Sequence, residues 1–508
     1  MENQNIEDKK QQTSPLSRRH LLQWGAATLT LGPIMLPRST LAAEATSPPL
    51  SRSQSAENSV SIPHSMAQGW HDLPPILARI KAPKFPHRDF TIADFGVKRS
   101  GEDASQAIKQ AIEACHQAGG GRVVIPRGIF YTGPIWLKSG VNLHLADGAT
   151  LKFFTDPQKY PNVLTRWEGI ECMNFSPLIY AIDAENIAIT GKGTLDGQAS
   201  KENWWAWKQA DGTQVKQYSD MKKLMQMGEQ GMSVAERVFG LGHFLRPNFI
   251  QPYHCKNVLI EDITIINSPM WELHPVLSEN ITIRGVQIHS HGPNNDGCDP
   301  ECCRDVLIEN CIFDTGDDCI AIKSGKNNDG RRVNTPSINI VIRGCKMLDG
   351  HGGVVLGSEC SGNIYNVFVE DCEMDSPHLD RVLRFKNNAV RGGKLENVFM
   401  RNIRVGQVSE AILTVDFLYE EGEKGPYKPV VRNVYIEQVT SNSSPRVMYI
   451  ASFKGAEIDN IHFSDSVFSG ITSSEVMSTS GTVSFRNVVI EPKNRPQGLN
   501  SRLPAQGW

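Results

Sequence analysis

A short phrase that recurs along the chain constrains its fold more than any other feature. Asn or Asp is followed by alternating apolar residues, and from Asn257 to Asn487 the phrase returns every 23 to 36 residues. Short β-branched strands at such a period predict a solenoid, while the two-residue alternation excludes helical repeats. Because a propeller blade needs about 40 residues or more, we predict an all-β, right-handed parallel β-helix. The phrase begins at Asn142, Asn186, Asn257, Asn280, Asp305, Asn339, Asn366, Asn397, Asn433, Asn460 and Asn487.

The marker asparagines and several cysteines follow this period. Each marker Asn is expected at a turn between coils, where its amide would hydrogen bond backbone groups above and below. Cys311, Cys345 and Cys372 each lie six residues after a marker, so we predict that they stack inside the solenoid and do not bind a metal. The 11 cysteines are an odd number, and we expect few or no disulfides among them.

A solenoid needs covers for its open ends and tolerates long insertions between its strands. Residues 103–118 predict an N-terminal capping helix, ended by three glycines. An insertion at 197–246 interrupts the repeat and contains Trp204, Trp205 and Trp207. These tryptophans predict either simple packing of the insertion on the solenoid or one wall of a sugar cleft. The apolar face of the capping helix consists of Ala107, Ile108, Ala111, Ile112 and Cys115.

The N-terminus predicts an export signal. Arg18 and Arg19 precede a moderately apolar stretch and a region of small residues, as in a twin-arginine signal. We therefore expect a signal peptide over 1–45, a linker or N-terminal extension over 46–84, a β-helix domain over 85–490 and a C-terminal tail over 491–508. The protein would then be periplasmic or secreted.

Composition limits the classes of function. The formal net charge of −3 argues against a nucleic-acid binder that works by overall positive charge. No apolar run of about 20 residues is present, so a membrane-spanning helix is not expected. Apolar residues make up 40% of the chain, which is ample for a folded core. We expect a monomer.

Carboxylates stand at a similar phase of successive coils. Asp296 lies 16 residues after its marker, and Asp317 and His351 each lie 12 residues after theirs. Their side chains are therefore expected to stack on one face, about 4.8 Å apart. Asp317 and Asp318 are consecutive and on a regular strand would face opposite ways. Both reach one site only if the chain bends there, which Gly316 permits.

A basic patch follows these acids in a nearly neutral protein. Taken singly, paired aspartates in loops more often bind calcium or form turns, and an Arg-x-Lys is usually a solvated strand face. Their shared phase favours acid–base chemistry on an anionic carbohydrate, in which one acid protonates a leaving oxygen and another activates water. Crowded carboxylates also raise one another's pKa, so one can stay protonated near neutral pH. The patch consists of Arg381, Arg384, Lys386, Arg391 and Lys394.

The chain resembles glycoside hydrolase family 28, the polygalacturonases, over about residues 88–490. The resemblance rests on segments at 90–96, 119–126 and 191–197 and on four motifs in order. Each motif is weak by itself, whereas the ordered set is specific. The motifs are Asn-Asn-Asp-Gly at 294–297, Gly-Asp-Asp at 316–318, Gly-His-Gly at 350–352 and Arg-Phe-Lys at 384–386.

This resemblance implies a role for each acid. Asp317 would be the general acid, while Asp296 and Asp318 would hold and activate the attacking water. His351 would tune the protonation of the acid. Hydrolysis would proceed with inversion, which requires the carboxylates to be spaced for a water between them. The resemblance implies no metal and no other cofactor.

The same resemblance implies that Asn294, Arg384 and Lys386 bind a pectic poly- or oligosaccharide. The two cations would bind the galacturonate carboxylate. Two positions depart from the usual family pattern. Asn295 stands where Thr is usual, which leaves the neighbouring acid intact, and Phe385 stands where Ile is usual, which keeps both charges but could alter neighbouring subsites.

The expected mode of action is exo. Segments 352–355, 357–359 and 391–393 are more similar to exo-acting bacterial members of the family than to fungal endo-enzymes. The insertion at 197–246 could also block one end of a cleft. We therefore expect hydrolysis of α-1,4-galacturonosidic bonds from a chain end.

Three alternatives stay open. A rhamnogalacturonan hydrolase, or another branched-pectin hydrolase of the same family, would share the motifs. A pectate lyase would share the fold and substrate but would need calcium-binding carboxylates and an Arg or Lys base, which the Gly-Asp-Asp and Gly-His-Gly motifs disfavour. A non-catalytic polysaccharide-binding β-helix would not explain the acids in phase.

Overall fold

Parallel strands stack coil upon coil into three sheets along one axis. The computed structural model describes residues 67–208, 216–479 and 481–493. The predicted all-β parallel β-helix is therefore confirmed. The first sheet contains Asp89–Thr91, Gly121–Ile125, Val141–Leu145, Glu185–Gly191, Lys256–Glu261, Glu279–Arg284, Arg304–Glu309, Ser337–Arg343 and Ile364–Glu370. The second sheet contains Gly128–Thr132, Ala149–Phe153, Thr194–Asp196, Thr264–Ile266, Gln287–Ser290, Ile312–Thr315, Lys346–Met347 and Glu373–Met374.

The first two sheets merge toward the C-terminus, where single long strands serve both. The long strands are Lys394–Gln407, Val430–Ser443, Glu457–Ile471 and Val483–Pro492. The third sheet stays separate and carries the predicted catalytic motifs. It contains Ile135–Trp136, Ile179–Ile182, Ile250–Tyr253, Asp318–Ile322, Gly352–Leu356, Arg381–Lys386, Ala411–Asp416, Arg446–Ala451 and Val476–Met477.

The marker asparagines form a ladder along the first sheet. Asn366 donates its amide to Oδ1 of Asn339 at 3.1 Å, and its own Oδ1 accepts from Nδ2 of Asn397 at 3.2 Å. Both Asn366 and Asn397 adopt left-handed backbone angles, which Asn tolerates better than most residues. The prediction that these amides bond to the backbone of adjacent coils is therefore wrong for most of the ladder. A side-chain amide both donates and accepts, so identical residues one coil apart satisfy each other.

The step of the ladder from Asn280 to Asp305 is broken, and the reason is chemical. Asp305 occupies a marker position but has no amide hydrogen to donate to Asn280. The backbone N–H of Lys81 donates to Oδ1 of Asn280 at 2.7 Å instead, and Arg79 donates to both carboxylate oxygens of Asp305 at 2.9 and 3.2 Å. The N-terminal segment thus completes the hydrogen bonding that the Asp leaves unmade.

Residues 67–84, which the sequence assigned to a linker or extension, pack on the outer side of the first sheet. Leu73–Arg79 forms a short helix. Leu73 and Ile76 are buried against Val341 and Phe368 of the first sheet. This segment packs there because the outward side of those strands is apolar, and a helix can cover it.

The N-terminal cap is a helix over Ser105–Gln117. Its buried face consists of Ala107, Ile108, Ala111, Ile112 and Cys115, the five residues that the sequence predicted. All 11 cysteines are buried with free thiols. Cys311, Cys345 and Cys372 lie in the apolar interior of the solenoid, as predicted, and burial raises the pKa of the Cys345 thiol. These thiols contribute packing.

The insertion folds as two short 3-10 helices, Trp204–Trp207 and Val234–Glu236, and the α-helix Lys216–Glu229. Trp204 is buried and packs edge-on against Tyr160 and Trp207. An antiparallel hairpin, Asn162–Trp167 with Ile170–Phe175, lies beside it. The remaining helical elements are the 3-10 helices Trp70–Asp72, Ile92–Phe95 and Pro157–Lys159 and the α-helix Asn327–Val333.

Two predicted segments fall outside this description. The signal peptide expected at 1–45 lies wholly before the first described residue, and the tail expected at 491–508 is described only to residue 493. The helices in the described ranges include none that is long and apolar enough to cross a membrane.

We predict that the ladder stabilises the fold measurably. Asn366→Ala removes one acceptor and one donor in a buried site, leaving the amides of Ala67 and Asn397 without their partner. The free energy of unfolding should fall by about 1–3 kcal/mol more than in Asn487→Ala. Asn487 is the matched control because it is exposed and has a similar left-handed backbone. Equal losses in urea denaturation of the two variants would contradict the prediction.

Candidate active site

Consecutive coils of the third sheet bring the predicted acids together. Cys298, two residues after Asp296, bridges to Ile320 of the strand Asp318–Ile322. That strand pairs in register with Gly352–Leu356, which pairs in turn with Arg381–Lys386. As a result, carboxylate oxygens of Asp296, Asp317 and Asp318 lie within 4.8 Å of one another.

The bend at Gly316 lets two consecutive aspartates face one site, as predicted. Asp317 lies at the corner between the second-sheet strand Ile312–Thr315 and the third-sheet strand that Asp318 begins. A Cβ at Gly316 would lie 2.5 Å from the carbonyl oxygen of Gly292. Glycine is therefore required by the close approach of the preceding coil.

His351 lies against Asp317 from the next coil. Its Nδ1 is 3.1 Å from Oδ1 of Asp317, and its backbone N–H donates to the Asp317 carbonyl at 2.9 Å. The imidazole is exposed, whereas the carboxylate is largely covered. The preceding Gly350 has no room for a side chain, because a Cβ would lie 2.8 Å from the same carbonyl.

The two predicted cations meet at Asp318. Lys386 donates from Nζ to Oδ2 of Asp318 at 2.5 Å, and Nη1 of Arg384 lies 3.6 Å from Oδ1. Both cations also lie near the ring of Tyr419, at 5.7 Å for Arg384 and 5.6 Å for Lys386. Tyr419 comes from a loop after the following coil, and no pattern in the sequence pointed to it.

A buried lysine that the sequence analysis missed neutralises the far side of the site. Lys323 Nζ lies 3.7 Å from Oδ2 of Asp296, 3.4 Å from Oδ1 of Asp299 and 3.1 Å from Oε2 of Glu359. It also lies 4.3 Å from the ring centroid of Trp271. No sequence pattern distinguished Lys323, which is a single Lys at the end of an apolar strand. Asp299 could have been found from the sequence, because it stands in the same short segment as Asp296.

Asn294 is engaged by the insertion. Its Oδ1 accepts a hydrogen bond from Nη2 of buried Arg246 at 2.7 Å. The same guanidinium donates to the carbonyls of Pro269 and Pro293, and its Nε donates to Gln217 at 2.8 Å. The structure therefore places Asn294 at the site but commits its acceptor oxygen to Arg246. Arg246 is a further residue that the sequence analysis missed.

The hairpin tip contacts the chain just after the strand Asp318–Ile322. The backbone N–H of Lys326 donates to the carbonyl of Gly169 at 3.0 Å, and Lys326 Nζ lies 3.3 Å from Oε2 of Glu168. Burial lowers the pKa of Arg246 to about 10, although the negative charges of nearby Glu168, Asp317 and Asp296 oppose this shift. The insertion thus contacts the coil that precedes Asp317, at Asn294, whereas the hairpin contacts the coil of Asp318.

Comparison with known proteins identifies the family of this chain. The model for glycosyl hydrolases family 28 matches residues 242–485. The crystal structure of a hyperthermoactive exopolygalacturonase from Thermotoga maritima is 44% identical, with a TM-score of 0.80 over 82% of this chain and 95% of that one.

The chain belongs to glycosyl hydrolase family 28. Among curated family relatives, an exo-poly-alpha-D-galacturonosidase from Dickeya chrysanthemi is 28% identical over 419 residues, which are 77% of this chain and 68% of that protein. A probable polygalacturonase from Vitis vinifera is 28% identical over 326 residues, and the match spans 62% of this chain and 60% of that relative's length.

Burial and charge shift the pKa values of the acids in this family 28 site in opposite directions. Burial, reinforced by the charges of Asp299 and Asp317, raises the pKa of Asp296 well above its ordinary value, although Lys323 opposes the shift. Burial also raises the pKa of Asp299 to about 8. The neighbouring pair Asp296 and Asp299 therefore holds a proton near neutral pH.

Asp317 is affected in the opposite direction. Burial alone would raise its pKa, but the hydrogen bond and charge of His351, followed by the charges of Lys386 and Lys323, lower it to about 2. The same hydrogen bond raises the pKa of His351. In the free protein the proton of this pair thus resides on the imidazole.

The three carboxylates are close enough together to hold a cation, but their surroundings disfavour one. Lys323, Lys386 and Arg384 already supply positive charge at this position. A metal ion placed among the acids would be repelled by these cations. The arrangement suits acid–base chemistry.

We predict that Asp317→Asn lowers the pKa of His351, because the variant loses the hydrogen bond and the negative charge that raise it. Histidine signals followed by NMR over a pH titration would measure the change, with His351→Gln used to assign the resonance. Since the protonated imidazole is favoured only while Asp317 is ionised, the charged form of His351 should persist to higher pH in the parent protein. An unchanged titration midpoint in Asp317→Asn would contradict the prediction.

Proposed function

We propose that the chain hydrolyses α-1,4-galacturonosidic bonds in polygalacturonate and pectic oligosaccharides, with inversion and from a chain end. The observation that carries this proposal is the set of three carboxylates within 4.8 Å beside Arg384 and Lys386. Acids supply proton transfer, and the cations supply selectivity for an acidic sugar. The exopolygalacturonase from Thermotoga maritima supports both the substrate class and exo action, because it is 44% identical over nearly its whole length.

Arg384 and Lys386 bind the galacturonate carboxylate in this proposal. Arg384 has an exposed fraction of only 12% in its side chain, and its Nε has no hydrogen-bond partner in the described structure. A planar carboxylate can satisfy such a guanidinium better than a hydroxyl can. The bound carboxylate then competes with Asp318 for the two cations.

Asp317 acts as the general acid. In the free protein its low pKa leaves the proton on His351, which lies at hydrogen-bonding distance. A substrate carboxylate on Lys386 cancels one of the positive charges that lower the pKa of Asp317, so binding favours transfer of the proton to the acid. His351 therefore holds the proton that Asp317 receives when substrate binds and then donates to the leaving oxygen.

Asp296 and Asp318 hold the attacking water. A water that bridges two acceptors through hydrogen bonds of about 2.8 Å fits a separation below 5 Å. Asp318 receives the hydrogen bond from Lys386. With the proton of the pair on Asp299, whose pKa is about 8, Asp296 is ionised and accepts the proton of the attacking water. Attack by this water on the face opposite the leaving oxygen inverts the anomeric centre.

The hairpin and the insertion make the mode of action exo. The contact of Arg246 with Asn294 places the insertion over the cleft on the side of the earlier coils, and the hairpin tip contacts Lys326 on the coil of Asp318. A polymer could not pass through that end, so only a terminal unit reaches the carboxylates. The tryptophans of the insertion serve this arrangement by packing it in place.

The cellular setting is part of the same proposal. We assign residues 1–45 to a twin-arginine signal that delivers the protein to the periplasm or the exterior, where pectic fragments are encountered. The mature protein acts as a monomer and binds no nucleic acid. Residues 85–490 form the catalytic domain, with residues 67–84 packed on its first sheet.

We expect purified protein, incubated with polygalacturonate without added metal, to release saturated monogalacturonate or digalacturonate from the earliest times. Asp317→Asn should lower the rate by about 10²–10⁴-fold, the usual contribution of a general acid. Product size by mass spectrometry against time is the measurement. Asp465→Asn is the control, since this acid lies in the strand Glu457–Ile471, on a later coil than the proposed site residues.

Other product patterns would separate the alternatives. A ladder of saturated oligomers would overturn exo action but keep the enzyme class. Unsaturated ends would indicate a lyase, and cleavage restricted to branched pectin would indicate a related hydrolase. Binding without any product would favour the non-catalytic alternative.

We predict that the two acid roles separate on an activated substrate. Galacturonosyl fluoride needs no protonation of its leaving group, so Asp317→Asn should lose only about tenfold or less on it. Asp296→Asn should lose activity on the fluoride and the polymer alike, because water activation is needed for both. The reverse pattern would assign the general acid to Asp296, whose pKa is raised in the free protein. The anomeric proton of the first product, observed by NMR, tests inversion in the same experiment.

A further inference from the structure

A second group of metal-ligating side chains lies on the outer face of the second sheet. One ligand atom each of His291, Asp314 and Asp349 lies within 4.8 Å of those of the other two, and Nε2 of His291 contacts Oδ1 of Asp314. Nδ1 of His289 lies 3.2 Å from the other oxygen of Asp314. We call these four residues the His–Asp cluster.

The strand geometry explains why the cluster converges. His289 lies in the strand Gln287–Ser290, and His291 follows directly after its end. Asp314 is the register partner of His289 on the next coil, and Asp349 follows on the coil after that. Oδ1 of Asp349 accepts a hydrogen bond from Ser376 at 2.5 Å, which fixes its carboxylate.

We propose that the His–Asp cluster binds one divalent transition-metal ion of the zinc class. The ligands are His291, Asp314 and Asp349, and His289 orients Asp314 through its second oxygen. One imidazole and two carboxylates form a mixed N/O donor set that suits Zn²⁺. An outer-shell group such as His289 is a regular companion of a metal ligand.

The ligands must separate slightly to admit an ion. His291 Nε2 and Asp314 Oδ1 are 2.8 Å apart, whereas two tetrahedral ligands that each lie about 2.1 Å from one zinc ion are about 3.4 Å apart. A ligand atom of Asp349 lies within 4.8 Å of those of the other two residues, which is within reach of the same ion. Both His291 and Asp314 are solvent-accessible, at 49% and 25% of the side chain, so an ion can enter.

Local charge separates this cluster from the catalytic acids. In the described ranges Asp314 forms ion pairs with histidines alone, and Asp349 forms none with any Lys or Arg. The catalytic carboxylates, by contrast, are held by Lys386 and Lys323. A cation therefore gains more at the His–Asp cluster, where no Lys or Arg has to be displaced.

The position of the ligands gives the ion a structural consequence. Each ligand precedes a proposed catalytic residue on three successive coils, with His291 five residues before Asp296, Asp314 three before Asp317 and Asp349 two before His351. An ion bound to all three ligands would therefore link three successive coils at the bends that precede the proposed catalytic residues. Only this consequence rests on the proposed function, and the binding itself does not.

Calorimetric titration of chelator-treated full-length protein with ZnCl₂ tests the site. We expect one ion per chain, loss of this binding in His291→Ala, and a loss of about 10–100-fold in affinity in His289→Ala. His254→Ala is the matched control, because His254 is similarly exposed and lies 3.6 Å from a single carboxylate, that of Asp183. Saturating zinc should also raise the melting temperature of the parent protein and of His254→Ala, but not that of His291→Ala.

An arm with Asp296→Asn distinguishes the two acidic sites. Zinc binding that survives in Asp296→Asn and disappears in His291→Ala supports the His–Asp cluster. Binding that disappears in Asp296→Asn, or that is unchanged in His291→Ala, would overturn the proposal, as would the absence of stoichiometric binding. Zinc binding without galacturonate hydrolysis would defeat the proposed function and leave this site standing.

Discussion

The constant register of parallel strands from coil to coil is the constraint on which the rest of this structure depends. Backbone hydrogen bonds fix each coil against the next, although the coils differ in length by more than ten residues. Because the register is constant, additional residues must leave the strands as loops. Side chains at one phase therefore stack about 4.8 Å apart along a sheet.

Stacking at this spacing produces the electrostatics of the site. Three carboxylates cannot share such a small volume in ionised form without compensating cations. Lys386 compensates Asp318 from later coils, and Lys323 compensates Asp296 from a neighbouring coil. The hydrogen bond from His351 then determines where the last proton lies. The cations are thus part of the acid–base apparatus as well as a means of selecting an acidic sugar.

The same stacking rule makes some features predictable and others not. The capping helix was predictable residue by residue, because its 3.6-residue apolar period is local to thirteen residues. The convergence of Asp317 and Asp318 was predictable from the bend that Gly316 permits. The partners of the marker asparagines were not, since an amide satisfies equally a backbone group or an identical side chain one coil away.

The sequence by itself determined the solenoid, its cap and the acids and cations in phase, because periodicity and motif order are properties of the chain in one dimension. Only the tertiary structure decided that Lys323 would lie between Asp296 and Glu359. It also decided that Arg246 would donate a hydrogen bond to Asn294, and that residues 67–84 would cover the first sheet. These contacts join residues far apart in sequence through loops of no fixed length. Their pairing depends on where each loop returns to the solenoid, and no local pattern encodes that.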